Sequence, residues 1–140
     1  MSIQALLFSF QGRIGRKTYW LWNAFYYLAI IGLTISMSKL FPGYVQILLP
    51  VCLLLLMLPD LAITTKRWHD RGKSAYWLLL NIPLVVGRLA SPMGSNSFLE
   101  PEASTILSTS LALICGVWIL VECGFMKGIS GDNQYGPEPK

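Results

Sequence analysis

Residues 45–64 read VQILLPVCLLLLMLPDLAIT, twenty positions with one acid, Asp60, and no basic residue. About 20 mainly apolar residues in a helix cover the hydrocarbon core of a bilayer, so this stretch reads as a membrane span. Working outward, Tyr19 to Leu40 and Thr105 to Phe125 have the same character. Ala75 to Ala90 is shorter, about 24 Å as an α-helix. Tyr76 and Trp77 at its start and the charges around it make it a short fourth span. Phe41-Pro42-Gly43 is a turn between the first two spans. Ser91-Pro92-Met93-Gly94-Ser95-Asn96-Ser97 is a polar loop, and Glu100-Pro101-Glu102 suits the start of the last helix. The chain therefore reads as all-α, one four-span domain over residues 1–140. A leading segment 1–18 precedes spans at 19–40, 45–64, 75–90 and 105–125, and 126–140 forms a tail.

Composition agrees. Of 140 residues, 54% are hydrophobic and 13% charged, against about 25% charged in ordinary soluble domains. The net charge of +4 is not spread as a nucleic-acid footprint: there is no long basic run, RNA-binding aromatic motif or zinc-ligand set, so no nucleic-acid partner is expected. Instead the charge gives an orientation. Arg13, Arg16, Lys17, Lys66, Arg67, Arg71, Lys73, Lys127 and Lys140 fall on one side of the four spans, and Lys39 and Arg88 on the other. Lys and Arg accumulate on the cytoplasmic side, so both termini are expected there. Tyr19, Trp20, Trp22, Trp68, Tyr76 and Trp77 gather near the same side, as an interfacial belt does. No basic n-region precedes the first apolar stretch and no small-residue cleavage site follows the basic cluster, so the first span is expected to stay as an uncleaved anchor. Ile3 to Phe10 is too short to span; it is either an interfacial segment beside the first span or a partly ordered leader. Cys52, Cys115 and Cys123 lie in apolar runs at spacings that match no metal or redox motif.

Three polar motifs fall on the basic side: Gly12-Arg13-Ile14-Gly15-Arg16-Lys17-Thr18-Tyr19-Trp20, Lys66-Arg67-Trp68-His69-Asp70-Arg71-Gly72-Lys73-Ser74, and Gly128-Ile129-Ser130-Gly131-Asp132-Asn133-Gln134-Tyr135-Gly136-Pro137. In this order they resemble the bacterial inner-membrane family called domain of unknown function 805, through Phe8-Ser9-Phe10-Gln11-Gly12-Arg13, Arg16, Tyr19-Trp20, Arg67, His69-Asp70, Gly72-Lys73-Ser74, Trp77, Ile82-Pro83, Gly87, Gly128, Gly131, Asn133, Tyr135-Gly136-Pro137 and Pro139. Ala75-Tyr76 departs from the glycine and tryptophan usual there, and Lys66 from arginine. The resemblance implies a small multi-pass protein of the inner membrane and supplies no activity.

The motifs admit several roles. Arg13 and Arg16, three apart, would share a helix face and form either a clamp for a phosphate or carboxylate or an anchor on lipid phosphates. Arg67, Arg71 and Lys73 make a cationic rim, with Gly72 turning the chain and Ser74 capping the third span. His69 is the only histidine, which leaves a metal site short of ligands. Gly72-Lys73-Ser74 lacks the upstream glycine of a phosphate loop. In the tail, Asn133 and three glycines specify a turn path folding back under the bundle, and Tyr135 is expected to pack on the span ends and hydrogen-bond an arginine. Asp60 and Glu122 are acids inside spans, hence functional candidates, or they pair with Arg13, Arg16 or Arg67 to lock the bundle end. Pro50, Pro59 and Pro83 are expected to kink their helices, and Ser108, Ala112 and Gly116 form a small-residue stripe for close helix contact.

The leading functional expectation is a non-enzymatic membrane module. Its cluster of Arg13, Arg16, Arg67, His69, Asp70, Arg71, Lys73, Asn133 and Tyr135 would bind an anionic lipid headgroup, a phosphorylated small ligand or a protein partner. The alternatives are an oligomeric transporter or channel subunit using Asp60 and Glu122, and a lipid-headgroup enzyme using His69 and Asp70. No catalytic set, metal or cofactor is expected; a homo-oligomer remains open.

Overall fold

A computed structural model describes residues 2–90 and 103–139. The loop at Ser91–Ser97 and the acidic helix start at Glu100–Glu102 lie outside them. The element order is α1 (Ile3–Phe8), α2 (Arg16–Leu40), α3 (Val45–Asp70), a 3-10 segment (Ala75–Asn81) running into α4 (Ile82–Ala90), α5 (Ala103–Ile119) and a π-turn (Leu120–Phe125). Among the described residues there is no strand, only an isolated bridge between Asn133 and Gly136. Among the described residues three helices, Arg16–Leu40, Val45–Asp70 and Ile106–Phe125, are long and apolar enough to cross a membrane, and Ala75–Val86 is a shorter apolar helix.

Local chemistry sets these boundaries. Ser2 caps α1, its hydroxyl accepting from the Ala5 amide at 3.2 Å. Helix α2 begins at Arg16, later than a face shared by Arg13 and Arg16 requires. Gly12 at φ +94° turns the chain before it, and Arg13 stays outside the helix. Helix α3 runs unbroken past Pro50 and Pro59 and ends in a Schellman turn. Gly72 stands at φ +69°, its amide donates to the His69 carbonyl at 2.9 Å, and the Lys73 amide donates to that of Trp68 at 2.9 Å. Ser74 does precede the next helix, but its hydroxyl makes no capping bond. Pro83 falls in the first turn of α4, a position that tolerates proline; the chain tightens to 3-10 just before it.

Burial is inverted relative to a soluble domain. Leu21, Leu28, Leu55, Leu107 and Ile114 on the long helices are exposed, whereas Arg13, Lys66, Arg67, His69 and Asp70 are buried. Every residue from Ala62 to Asp70 is buried. The core of Ile14, Tyr19, Trp22, Tyr26, Ile63, Trp68, Ile119 and Cys123 therefore lies at the end of the bundle that carries the three motifs. Leu6 and Leu7 of α1 pack on it, so the N-terminal stretch is a docked helix. Gly116 of the small-residue stripe faces Leu84 of α4 within the same chain, 3.4 Å from where a β-carbon would stand.

Candidate functional site

The π-turn is where the site begins. Widening the last turn of the α5 span turns successive carbonyls outward, and side chains from elsewhere take them up. The Cys123 carbonyl accepts from Arg67 Nε at 2.6 Å, Gly124 from Trp20 Nε1 at 3.1 Å, and Phe125 from Arg16 Nη1 at 3.2 Å. Met126 accepts from Arg67 Nη2 at 2.5 Å and Lys127 from Arg71 Nη1 at 2.5 Å. A helix C-terminus leaves its last carbonyls unpaired and partly negative; here they are met almost wholly by guanidinium groups.

Asp70 is the centre of the arrangement. Its Oδ1 accepts from Arg13 Nε at 3.1 Å and Nη2 at 3.0 Å, while Oδ2 is bonded to Arg67 Nη1. Arg13 further donates from Nη2 to the Ile129 carbonyl at 2.6 Å, and from Nη1 to those of Gly131 at 2.7 Å and Gly136 at 3.2 Å. A guanidinium has five N–H donors, and these five bonds use every one. Arg13, Asp70 and Arg67 are a buried charge triad with one excess positive charge, which the carbonyl row compensates. Burying such a group is tolerable only when it is paired and hydrogen-bonded throughout.

The tail folds against this triad. The Ile129 amide donates to the Asp70 carbonyl at 2.9 Å. Asn133 and Gly136 exchange backbone bonds of 3.1 and 3.0 Å around Gln134 and Tyr135. Asn133 Nδ2 donates to the His69 carbonyl at 2.9 Å, and its Oδ1 accepts from the Tyr135 amide at 2.9 Å. The Tyr135 ring lies flat on the His69 ring, centroids 3.9 Å apart at 2°, in place of the expected arginine hydrogen bond. His69 Nδ1 is 3.2 Å from the Gly12 carbonyl, so the ring is wedged between the first and third motifs. Among the described residues no group of three His, Cys, Asp or Glu could hold a metal ion.

Asp60 and Glu122 part company. Glu122 bridges Arg71 Nε at 3.1 Å and Lys73 Nζ at 2.9 Å, rather than Arg13, Arg16 or Arg67. Lys73 also lies over the Trp77 ring, 4.2 Å from its centroid, with Trp77 stacked on Trp68. Asp60 instead accepts from Trp22 Nε1 at 3.1 Å and lines a separate cavity.

One participant escaped sequence reasoning. Lys66, read there as a basic residue of the second motif and a departure from the family's arginine, is fully buried. Its ammonium donates to the Ala5 carbonyl at 2.7 Å and to that of Leu6, sealing the end of α1.

Apolar helices facing outward, with charge locked inside one end, define a protein of transmembrane helices. The family described as "Protein of unknown function (DUF805)" matches residues 7–137, and the chain belongs to it. It is 30% identical to the uncharacterized protein YiiR of Escherichia coli (strain K12), over 99% of this chain and 90% of that one. It is 29% identical to the inner membrane protein YhaI of the same organism (94% and 86% covered) and 27% identical to its inner membrane protein YhaH (94% and 87%). No solved structure gives a significant match.

Proposed function

We propose that the protein is a single four-span domain of the inner membrane with both termini cytoplasmic, whose three motifs fold into a structural clasp and whose remaining exposed cations hold anionic lipid headgroups. The 3-10 start supports the fourth span. At about 2 Å rise per residue over Ala75–Asn81, followed by α-helix to Ala90, the segment reaches about 27 Å, close to the roughly 30 Å hydrocarbon core.

The observation that carries the functional reading is the saturation of Arg13. With all its donors spent inside the chain, Arg13 offers a ligand nothing, and Arg67 is wholly buried with its Nε, Nη1 and Nη2 each bonded within the chain. Arg16, Lys17 and Lys127 are exposed, and Arg16 and Lys127 line one shallow pocket of about 120 Å³ together with Arg67, Asp70 and Glu138. Cations so placed attract anionic headgroups by about 1 kcal/mol each. His69, stacked and buried, fits a structural wedge better than a general base.

Native mass spectrometry of the full chain released from nanodiscs containing phosphatidylglycerol tests this. The triple variant Arg16→Ala/Lys17→Ala/Lys127→Ala is expected to lose the retained anionic lipid with only a small drop in unfolding midpoint, from the exposed Arg16–Phe125 bond; unchanged retention would overturn the reading. Fluorescent-protein fusions at each end check the topology, both being expected to fluoresce from the cytoplasm.

A further inference from the structure

Helix α1 is held at a height along the bundle that its own contacts fix. The Lys66 ammonium takes the Ala5 and Leu6 carbonyls at its C-terminal end, and the next residue, Arg67, bonds the Cys123 and Met126 carbonyls. Trp20 Nε1 donates to the Gly124 carbonyl between them at 3.1 Å. The end of α1, Trp20 and the π-turn therefore stand within about one turn of each other around α3. Trp20 and Phe125 are exposed at this height, their rings edge to face with centroids 5.7 Å apart. Arg16 and Lys17 are exposed just outside it, and exposed Leu21 follows on the inner side. Cations, then aromatic rings, then aliphatic side chains is the order of a membrane–water boundary.

Helix α1 packs Leu6 and Leu7 on the core and leaves Phe8 65% and Phe10 45% exposed. No charged side chain occurs from Ser2 to Gly12, so seating this stretch beside lipid desolvates no ion. With rings of about 200 Å² each, Phe8 and Phe10 expose far less than the roughly 800 Å² per partner of a standard protein interface, which a second copy would need. A lipid surface has no such minimum, and the exposed apolar faces of the long helices continue the patch.

We infer that α1 and the residues up to Phe10 form an interfacial anchor, with the Phe8 and Phe10 rings in the boundary between headgroups and acyl chains at the clasped end. The partner is the lipid surface itself, met by apolar contact whatever its headgroup charge. The inference requires only that the long helices span, and is independent of headgroup binding at Arg16, Lys17 and Lys127.

Spin labels test it on the full chain in nanodiscs of phosphatidylcholine, one chain per disc and no anionic lipid. The label is attached to Phe8→Cys, to Phe10→Cys or, as the aqueous reference, to Gln134→Cys at the exposed turn of the tail. The background is Cys52→Ala, since Cys115 and Cys123 are buried. The ratio of relaxation by oxygen to relaxation by a neutral nickel chelate is expected to be at least threefold higher at 8 and 10 than at 134, as for side chains below the headgroups. Equal ratios overturn the inference, and are also the result if a second copy is the partner, because each disc holds one chain. A label is itself apolar, so unlabelled Phe8→Glu/Phe10→Glu is the second measurement. Hydrogen exchange at residues 3–9 in the same discs is expected to quicken at least fivefold with the unfolding midpoint of the bundle retained, whereas rings facing water would tolerate the acids. Unchanged exchange overturns the inference.

Discussion

Gly128 passes so close to Asp70 that a β-carbon built on it would stand 2.6 Å from the carboxylate carbon. The carboxylate is held by Arg13 and Arg67 and has nowhere to retreat. Gly128→Ala is therefore expected to destabilise by about 3 kcal/mol, the upper range for overpacking. Equilibrium unfolding in mixed micelles measures it. Gly32→Ala, with nothing within 4 Å of the new methyl and a helical backbone, should be neutral or slightly stabilising. Equal losses in both would show that Asp70 is free to move.

The two acid clusters should respond unequally to neutralisation. Asp70→Asn leaves Arg13 and Arg67 buried without their counter-charge, a loss of about 3–5 kcal/mol. Glu122→Gln breaks contacts to the partly exposed Arg71 and Lys73 and should lose about 1 kcal/mol or less, shrinking further in high salt. Unfolding midpoints at low and high ionic strength separate the two. A salt-sensitive Asp70→Asn effect would contradict the buried triad.

Lys66→Met removes the ammonium that holds the Ala5 and Leu6 carbonyls. Helix α1 should come loose while the rest of the bundle stays folded. Hydrogen exchange at residues 3–9 is the measurement, with an expected fall in protection of at least tenfold, since hydrogen bonds to a charged group contribute about 1.5–3 kcal/mol. Unchanged protection would mean that Leu6 and Leu7 hold the helix unaided.

Tyr135 contributes its ring face to His69 and its backbone to Asn133. Tyr135→Phe is expected to match the wild type, and Tyr135→Ala to destabilise by about 1 kcal/mol, in the range for an aromatic pair. Limited proteolysis after residue 128 reports on the same contact. A sensitive Tyr135→Phe would assign the role to the hydroxyl.

The long apolar helices and the meeting of the three motifs could be read from hydropathy and charge, because long apolar runs separate the motifs and counting those runs as alternating spans puts Arg13, Arg67 and Asn133 at one end. The partners could not. Asp70 was legible as polar, but nothing in residues 120–127 announces a π-turn whose carbonyls replace a second acid, since backbone acceptors leave no trace in side-chain chemistry. Lys66 was hidden for the same reason. Glu122 was expected to reach Arg13, Arg16 or Arg67; the Schellman turn at Gly72 instead swings Arg71 and Lys73 back toward it. Asp60 lies too deep for the clasp, and Trp22, expected only as belt aromatic, serves it.

The carbonyl row also dictates timing. Arg13 and Arg67 are made early, but their acceptors reside at Cys123, Met126, Ile129, Gly131 and Gly136. A nascent chain halted before those residues holds two arginines that nothing yet neutralises beyond Asp70. The clasped end thus stays unlocked until the ribosome has delivered the final turn.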